Sequence, residues 1–599
     1  MKQIFFTTCI VTAVLLQGCA TPTGSTKSAT AKDKPSVSSS QVKKPTPRKD
    51  IKPEKQVSKK ARTREQVVES QKEGLDPELL YQLMSAEIAG QRGQLEMAVE
   101  NYLAAAERSQ DVIIAERATR IAVFARDNDS ALRAARIWVK KQPDNLEAHQ
   151  VMAALLVRTG QAEQAQQHLE KLVESHRNGQ SGFMLISSLL SKEKDKQSAL
   201  NAMKQLVSKY KNDAEALYAL SHLAYLVRNY EEAEKNILKV VQLKPDWTEA
   251  NILYANILTR LEKHEQVVTH LESVLEENSN NIALRLYLAR KYIDLKRYAK
   301  AQANFKIILE SKPDHADSLY ALGLLGMQLQ KMDDAESYFL RLLEIKQHEN
   351  EARYYLGQIA ESHDNTTEAI RWYNLVEEGN HYLEAHVRIA KIIAKQGDVL
   401  GAREHLQNIA PDNTEMELRI YLAEGEILRE AKLYDEAIQL YSDALEQLPD
   451  NIDLLYARGL TAEKLDNVHQ TILDLTRIVE IDPYNIQALN ALGYTLIDRT
   501  ERLQEGFDYV RRAYERNPND AAIMDSMGWA YYRLGNHKEA LKYLSEAFEK
   551  LKDAEIAAHL GEVLWVTGKH DAAQKIWQDA LRQTPEHKTL LDVIERFSE

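Results

Sequence analysis

The strongest constraint on this chain is a repeat of 34 residues that runs through most of its length. Steps of 34 from Pro143 meet Pro245, Pro313, Pro449 and Pro483. In the same phase a small residue recurs as Ala165, Ala199, Ala233, Ala301, Ala335, Ala369 and Ala437, seven of ten places, with Val267, Arg403 and Thr471 at the others. A second small position reads Ala289, Gly323, Gly357, Gly425, Gly459 and Gly493. Within Ala316 to Glu349, Leu319, Leu322 and Leu325 fall at helical spacing. A break follows at Lys331-Met332-Asp333, and then Ala335, Tyr338, Phe339 and Leu342 resume the spacing. Each repeat therefore reads as two antiparallel helices joined by a tight turn, with the small residues where the helices come closest. Units of this kind bury their apolar faces only against neighbours, so the chain is expected to be an all-α solenoid.

The pattern resembles the tetratricopeptide repeat. In that register residues 77–587 make about fifteen helical hairpins. Residues 588–599 follow as a capping helix, with Leu590, Leu591, Ile594 and Phe597 turned inward. The weakest stretch is 384–417, where Arg403 takes the alanine place and Pro411 is out of phase; a local irregularity is expected there.

Composition supports helical repeats, with 28% charged residues and only 22 Gly and 14 Pro in 599 residues. The formal net charge of −12 conceals an asymmetry. Ala20 to Gly74 holds 14 Lys/Arg against 6 Asp/Glu; with Lys2 also set aside, residues 75–599 carry −21. A solenoid this acidic is poorly suited to nucleic acid, whose phosphates require a basic surface. The only cysteines are Cys9 and Cys19, so the repeats contain neither disulfide nor thiolate chemistry.

Residues 1–18 read as a signal peptide: a positive start at Lys2, then an apolar run of 13 residues from Ile4 to Leu16, too short to span a bilayer. Leu16-Gln17-Gly18-Cys19 resembles the bacterial lipoprotein box, which implies cleavage before Cys19 and acylation of that residue. Ala20 in place of Asp then implies passage to the outer membrane. Residues 19–76 are rich in Ser, Thr, Lys and Pro and read as a flexible basic linker. Its coil reach is about 40 Å.

In a tetratricopeptide array the first helix of each hairpin lines the concave groove. That phase nominates Tyr218, Tyr225, Asn256, Arg290, Tyr320, Tyr354, Arg388, Tyr456, Asn490, Tyr494, Trp529, Tyr532 and Trp565. His222, Gln358, Asp525 and Glu562 fall on the same face. Such a row either captures a partner segment with flat apolar area and polar tips or packs between adjacent units. Asn256 has no Lys one turn earlier, which argues against a terminal-carboxylate clamp.

No phosphate-binding glycine loop, dinucleotide fingerprint or nucleophile elbow occurs. His264-Glu265 and His270 lie six residues apart instead of the four that would place two imidazoles on one helix face for zinc. The expectation is a non-enzyme with no cofactor, metal or small-molecule substrate.

The C-terminal third, with Ala491-Leu492-Gly493-Tyr494, Asp525-Ser526-Met527-Gly528-Trp529, Tyr532-Arg533-Leu534-Gly535 and Glu555 to Trp565, looks like the large tetratricopeptide outer-membrane lipoproteins of Gram-negative bacteria. That resemblance implies a periplasm-facing adaptor for a carboxyl-terminal processing protease that degrades cell-wall hydrolases. A structural scaffold in an envelope assembly or export machine, such as polysaccharide secretion or pilus biogenesis, is the alternative.

Overall fold

The computed structural model describes residues 76–175 and 182–598; the signal peptide, Cys19 and the basic linker lie outside the described residues. Among the described residues there are 31 helices and no strand, so the chain is an all-α tetratricopeptide solenoid. They fall into two compact units, one ending at Leu329 and the other beginning at Gln330.

In the first unit the helices alternate between hairpin-opening ones, such as Leu146–Arg158 and Ala214–Leu226, and returning ones, such as Ala162–Ser175 and Tyr230–Leu243. Several opening helices start on Asn or Asp: the side chains of Asn145, Asp213 and Asn281 accept from backbone N–H groups of the first turn. This supplies partners for donors that a helix leaves unpaired at its start. All the hairpin turns named here place one residue in the left-handed region, at Gly93, Arg126, Gly160, Arg228, Glu262 and Lys296, whereas the turn between Gly182–Ser191 and Lys196–Val207 does not. At Lys296 the cap is double, Lys296 N–H donating to the Ile293 carbonyl and Arg297 N–H to that of Tyr292, the pattern that closes a helix C-terminus.

The second unit repeats the design, with left-handed turns at Gln330, Asp364, Gly397, Lys432, Asp466, Gly535 and Gly568. Here the close approach of the two helices is visible at the glycines. A Cβ on Gly357, Gly425 or Gly561 would overlap the ring atoms of Tyr373, Tyr441 or Trp577, each sixteen residues later on the returning helix. All three rings are buried. At Gly493 the partners are Val510 and Gly506, one step further on, consistent with the extra residue before the helix Leu503–Arg516.

Two expectations need correction. Arg403 does not occupy the small position, because the phase slips by one and Ala402, fully buried, fills it. Arg403 instead pairs with buried Glu424 at 2.8 Å and with Glu436 at 2.7 Å. The slip goes with two short returning helices, Thr366–Asn374 and Val399–Gln407, of nine residues each. Beyond them lies an open polar depression of about 500 Å³ lined by Glu377, Glu378, Asp412, Glu415 and Arg419 among others. In the terminal helix Lys588–Ser598, Leu591 faces solvent and Val593 is buried beside Leu590, while Ile594 and Phe597 are half-buried against the same core.

Polar residues also cross the hairpins. His149 Nδ1 meets His168 Nδ1 at 2.8 Å, and His149 Nε2 meets the Pro143 carbonyl at 2.8 Å. Three repeats on, His270 Nε2 meets Asn251 Oδ1 at 2.8 Å. Burial holds the His168 and His270 imidazoles at a pKa of about 4, His149 adding to the effect on His168, against 6.5 for the free side chain.

Two outcomes follow for stability. Gly561→Ala drives a methyl group into a packed indole and is expected to destabilise the protein by about 3 kcal/mol, read as a lower denaturant midpoint. Because His168 and His270 are neutral when folded and protonate more readily when unfolded, their contribution is complete above pH 6.5 and is lost as pH falls from there towards 4. The melting temperature should drop over that window, and His270→Gln should shallow the drop.

Candidate partner-binding face

The opening helices carry the nominated residues, and their environments differ. In the first unit Tyr218 packs on Trp247 with ring centroids 4.6 Å apart and lies beside His222. Tyr225 sits against Tyr230 at 5.8 Å. Asn256 Oδ1 accepts from the Tyr287 hydroxyl at 2.7 Å, which ties the side chain to the next opening helix. Arg290 faces Asp317 at 4.0 Å. Tyr320 is buried, with only 6% of its surface exposed, and belongs to the packing between repeats.

In the second unit Tyr354 is equally buried and stacks on His381 at 4.3 Å; its oxygen accepts from Gln358 Nε2 at 2.9 Å. Arg388 is linked to Tyr373, whose ring lies 5.9 Å from that of Tyr354, through Glu361, whose Oε2 accepts from Arg388 at 3.0 Å and from the Tyr373 hydroxyl at 2.9 Å. Tyr456 is half-buried, and Asn490 presents a side-chain oxygen with no hydrogen-bond partner among the described residues.

The densest constellation spans three consecutive opening helices, Ile486–Arg499, Ala521–Arg533 and Ala554–Val566. Tyr494 donates to Glu555 Oε1 at 3.0 Å, and its oxygen lies 3.4 Å from His559 Nε2. His559 Nδ1 lies 3.0 and 2.9 Å from the two oxygens of Asp525. Trp529 stacks on the His559 ring at 4.2 Å and donates its indole N–H to Asp498 Oδ1 at 3.1 Å. Tyr532 donates to Glu562 Oε1 at 3.0 Å, and the other oxygen of Glu562 pairs with Arg596 of the terminal helix. Trp565 lies against Trp577, 5.8 Å away, and stacks on His570 at 4.3 Å.

Burial, then the carboxylates of Glu555, Asp498 and Asp525, push the Tyr494 phenol far up. Burial and Glu562 push Tyr532 up to about 12. His559 is fully enclosed, which lowers its affinity for a proton, yet Asp525, Glu555 and Asp498 outweigh this and raise its pKa above the usual imidazole value.

The structure therefore brings Tyr494, Trp529 and Tyr532 into one polar and aromatic network, with Trp565 beside it, and keeps Tyr218, Tyr225, Asn256 and Arg290 in the other unit. Asp498, Glu555 and His559 were not nominated by the groove phase. Their signal is spacing: His559 stands 34 residues after Asp525, the same place in the next repeat. Among the described residues no group of three or more His, Cys, Asp or Glu side chains is arranged to hold a metal ion. No helix there is long and apolar enough to cross a membrane.

Tetratricopeptide-repeat family models match residues 286–350, 385–452 and 526–588, and a further one matches 214–246. The TPR repeat-containing protein PA4667 of Pseudomonas aeruginosa is 30% identical over 487 residues, which cover 81% of this chain and 82% of that protein. The TPR repeat-containing protein MJ1428 of Methanocaldococcus jannaschii is 26% identical over 178 residues, 29% of each chain. Among solved structures, a thermophilic TPR protein of Thermus thermophilus, TTC0263, is 25% identical across 30% of this chain and 96% of its own, with a TM-score of 0.27. Proteins built from these repeats are generally non-catalytic scaffolds for protein–protein interaction. With a repeat period that the family models match and a relative aligned over four-fifths of both chains, this chain belongs to the tetratricopeptide-repeat protein family.

Proposed function

We propose that this chain is a non-catalytic adaptor, anchored to the outer membrane by lipid on Cys19 and facing the periplasm. It binds and activates a carboxyl-terminal processing protease and presents substrates such as cell-wall hydrolases to it. The observation that supports this reading is the row of aromatic and charged side chains on consecutive opening helices, where Tyr494, Tyr532 and Trp565 stay partly exposed. Large flat rings with polar tips are the groups that dominate binding energy at protein interfaces. An adaptor of this kind accelerates proteolysis by holding enzyme and substrate together, which requires no catalytic residue of its own.

Affinity capture of the full lipidated chain from detergent-solubilised envelopes tests the reading. A carboxyl-terminal processing protease recovered in near-equal amount, with faster substrate turnover when the two are mixed, is the expected result. Recovery of export or pilus components without a protease would assign the chain to an envelope machine instead. Tyr532→Ala on the opening-helix face is expected to weaken capture about tenfold or more, measured as a dissociation constant. Cys19→Ser should move the protein from the membrane fraction to the soluble one, because acyl chains supply the anchorage.

A further inference from the structure

The hydrogen bonds around His559 determine its protons. Both oxygens of Asp525 face Nδ1 at 2.9 and 3.0 Å, and a carboxylate only accepts, so Nδ1 carries a hydrogen. The Tyr494 hydroxyl is nearer Glu555 Oε1, at 3.0 Å, than His559 Nε2, at 3.4 Å; with its hydrogen on the carboxylate its oxygen can only accept from Nε2. A ring with a hydrogen on each nitrogen is an imidazolium. Its positive charge is enclosed by Asp525 and Trp529 on one helix, Tyr494 and Asp498 on another, and Glu555 on its own. Arg533, whose guanidinium donates to the Asp498 main-chain carbonyl at 3.2 Å, is the other charged group of this cluster. The Glu562 carboxylate is engaged by Tyr532 and Arg596.

We propose that His559 is a buried imidazolium at neutral pH and that its deprotonation acts as a switch, transferring the Tyr494 hydrogen bond from Glu555 to His559. The step balances: the Nε2 proton leaves to solvent, and the hydroxyl hydrogen of Tyr494 rotates from Glu555 Oε1 to the vacated Nε2 lone pair. Nδ1 keeps its hydrogen on Asp525. Glu555, half-buried at the first turn of the helix Ala554–Val566, then has lost both its donor and the nearby cation, and it turns outward. The proton on one enclosed ring is thus read out as the position of one carboxylate on the opening-helix face. The switch concerns the fold's own proton and does not depend on which partner binds.

The stacking of Trp529 on His559 provides the probe, since an imidazolium quenches indole emission more strongly than a neutral imidazole. The full chain is titrated between about pH 5.5 and 9.5, and the Trp529→Phe titration is subtracted to isolate Trp529 from the other five tryptophans. Expected is a rise in emission with a midpoint above pH 7 that disappears in His559→Gln. Tyr494→Phe removes the hydroxyl that accepts from Nε2 in the imidazolium and donates to it in the neutral ring; because the charge-assisted bond is the stronger, the midpoint should fall. Hydrogen exchange in 554–566 should quicken across the same midpoint. A midpoint at or below 6.5, or one unmoved by Tyr494→Phe in a protein of unchanged helicity, would overturn the proposal.

Discussion

The rest of the structure depends on how closely two helices of one hairpin can approach. Where Gly357, Gly425 and Gly561 stand, the returning helix lays a tyrosine or tryptophan ring directly against the opening backbone. That contact fixes the rotation of both helices about their axes. It therefore decides which residues remain for the neighbouring repeat and which face outward. Because a solenoid has no long-range core to correct an error, the register of every hairpin is set locally and passed to the next. The opening-helix face inherits its regularity from this interlock, so that side chains of three repeats meet around His559 without any loop being involved.

Much of the fold was legible because period and packing are the same fact. A small residue every 34 positions is needed wherever a hairpin closes. The departures have local causes that periodicity does not encode. Arg403 falls on the expected phase, but the shortened helix Thr366–Asn374 removes a step, and Ala402 takes the buried place. In the terminal helix Leu591 and Val593 exchange expected roles, because a helix that contacts the array on one side only exposes part of an apolar stripe. The face was legible in its aromatics and in part of its charge, Asp525 and Glu562 falling on the groove phase. Phase nominated Tyr494, Trp529 and Tyr532, whereas His559 and Asp498 are enclosed through partners contributed by other repeats. Enclosure of a charge has no periodic signature. Equally, phase alone gave no sign that Tyr320, Tyr354 and Trp529 are each more than nine-tenths covered.

Charge pairs inside the array follow one logic. Arg158 grips Glu193 through two bonds of 2.9 Å, and Arg458 grips Asp474 at 2.7 and 3.0 Å, each joining neighbouring elements where an apolar side chain would otherwise stand. Enclosing a carboxylate costs several kcal/mol unless its lone pairs are met, so these pairs contribute less to net stability than to the choice of one arrangement over another. A scaffold for protein–protein interaction benefits from that discrimination. Its face is held by bonds that fail if a repeat slides by one residue.

The two nine-residue returning helices have a consequence for cooperativity. In a linear array the melting of one element spreads only as far as its neighbours' coupling is strong. Thr366–Asn374 and Val399–Gln407 offer about one turn less of contact than the other returning helices of that unit, which have 13 or 14 residues, and an open polar depression replaces the missing packing. This stretch is therefore a weak joint across which melting passes less readily, and the constellation around His559 lies on its C-terminal side.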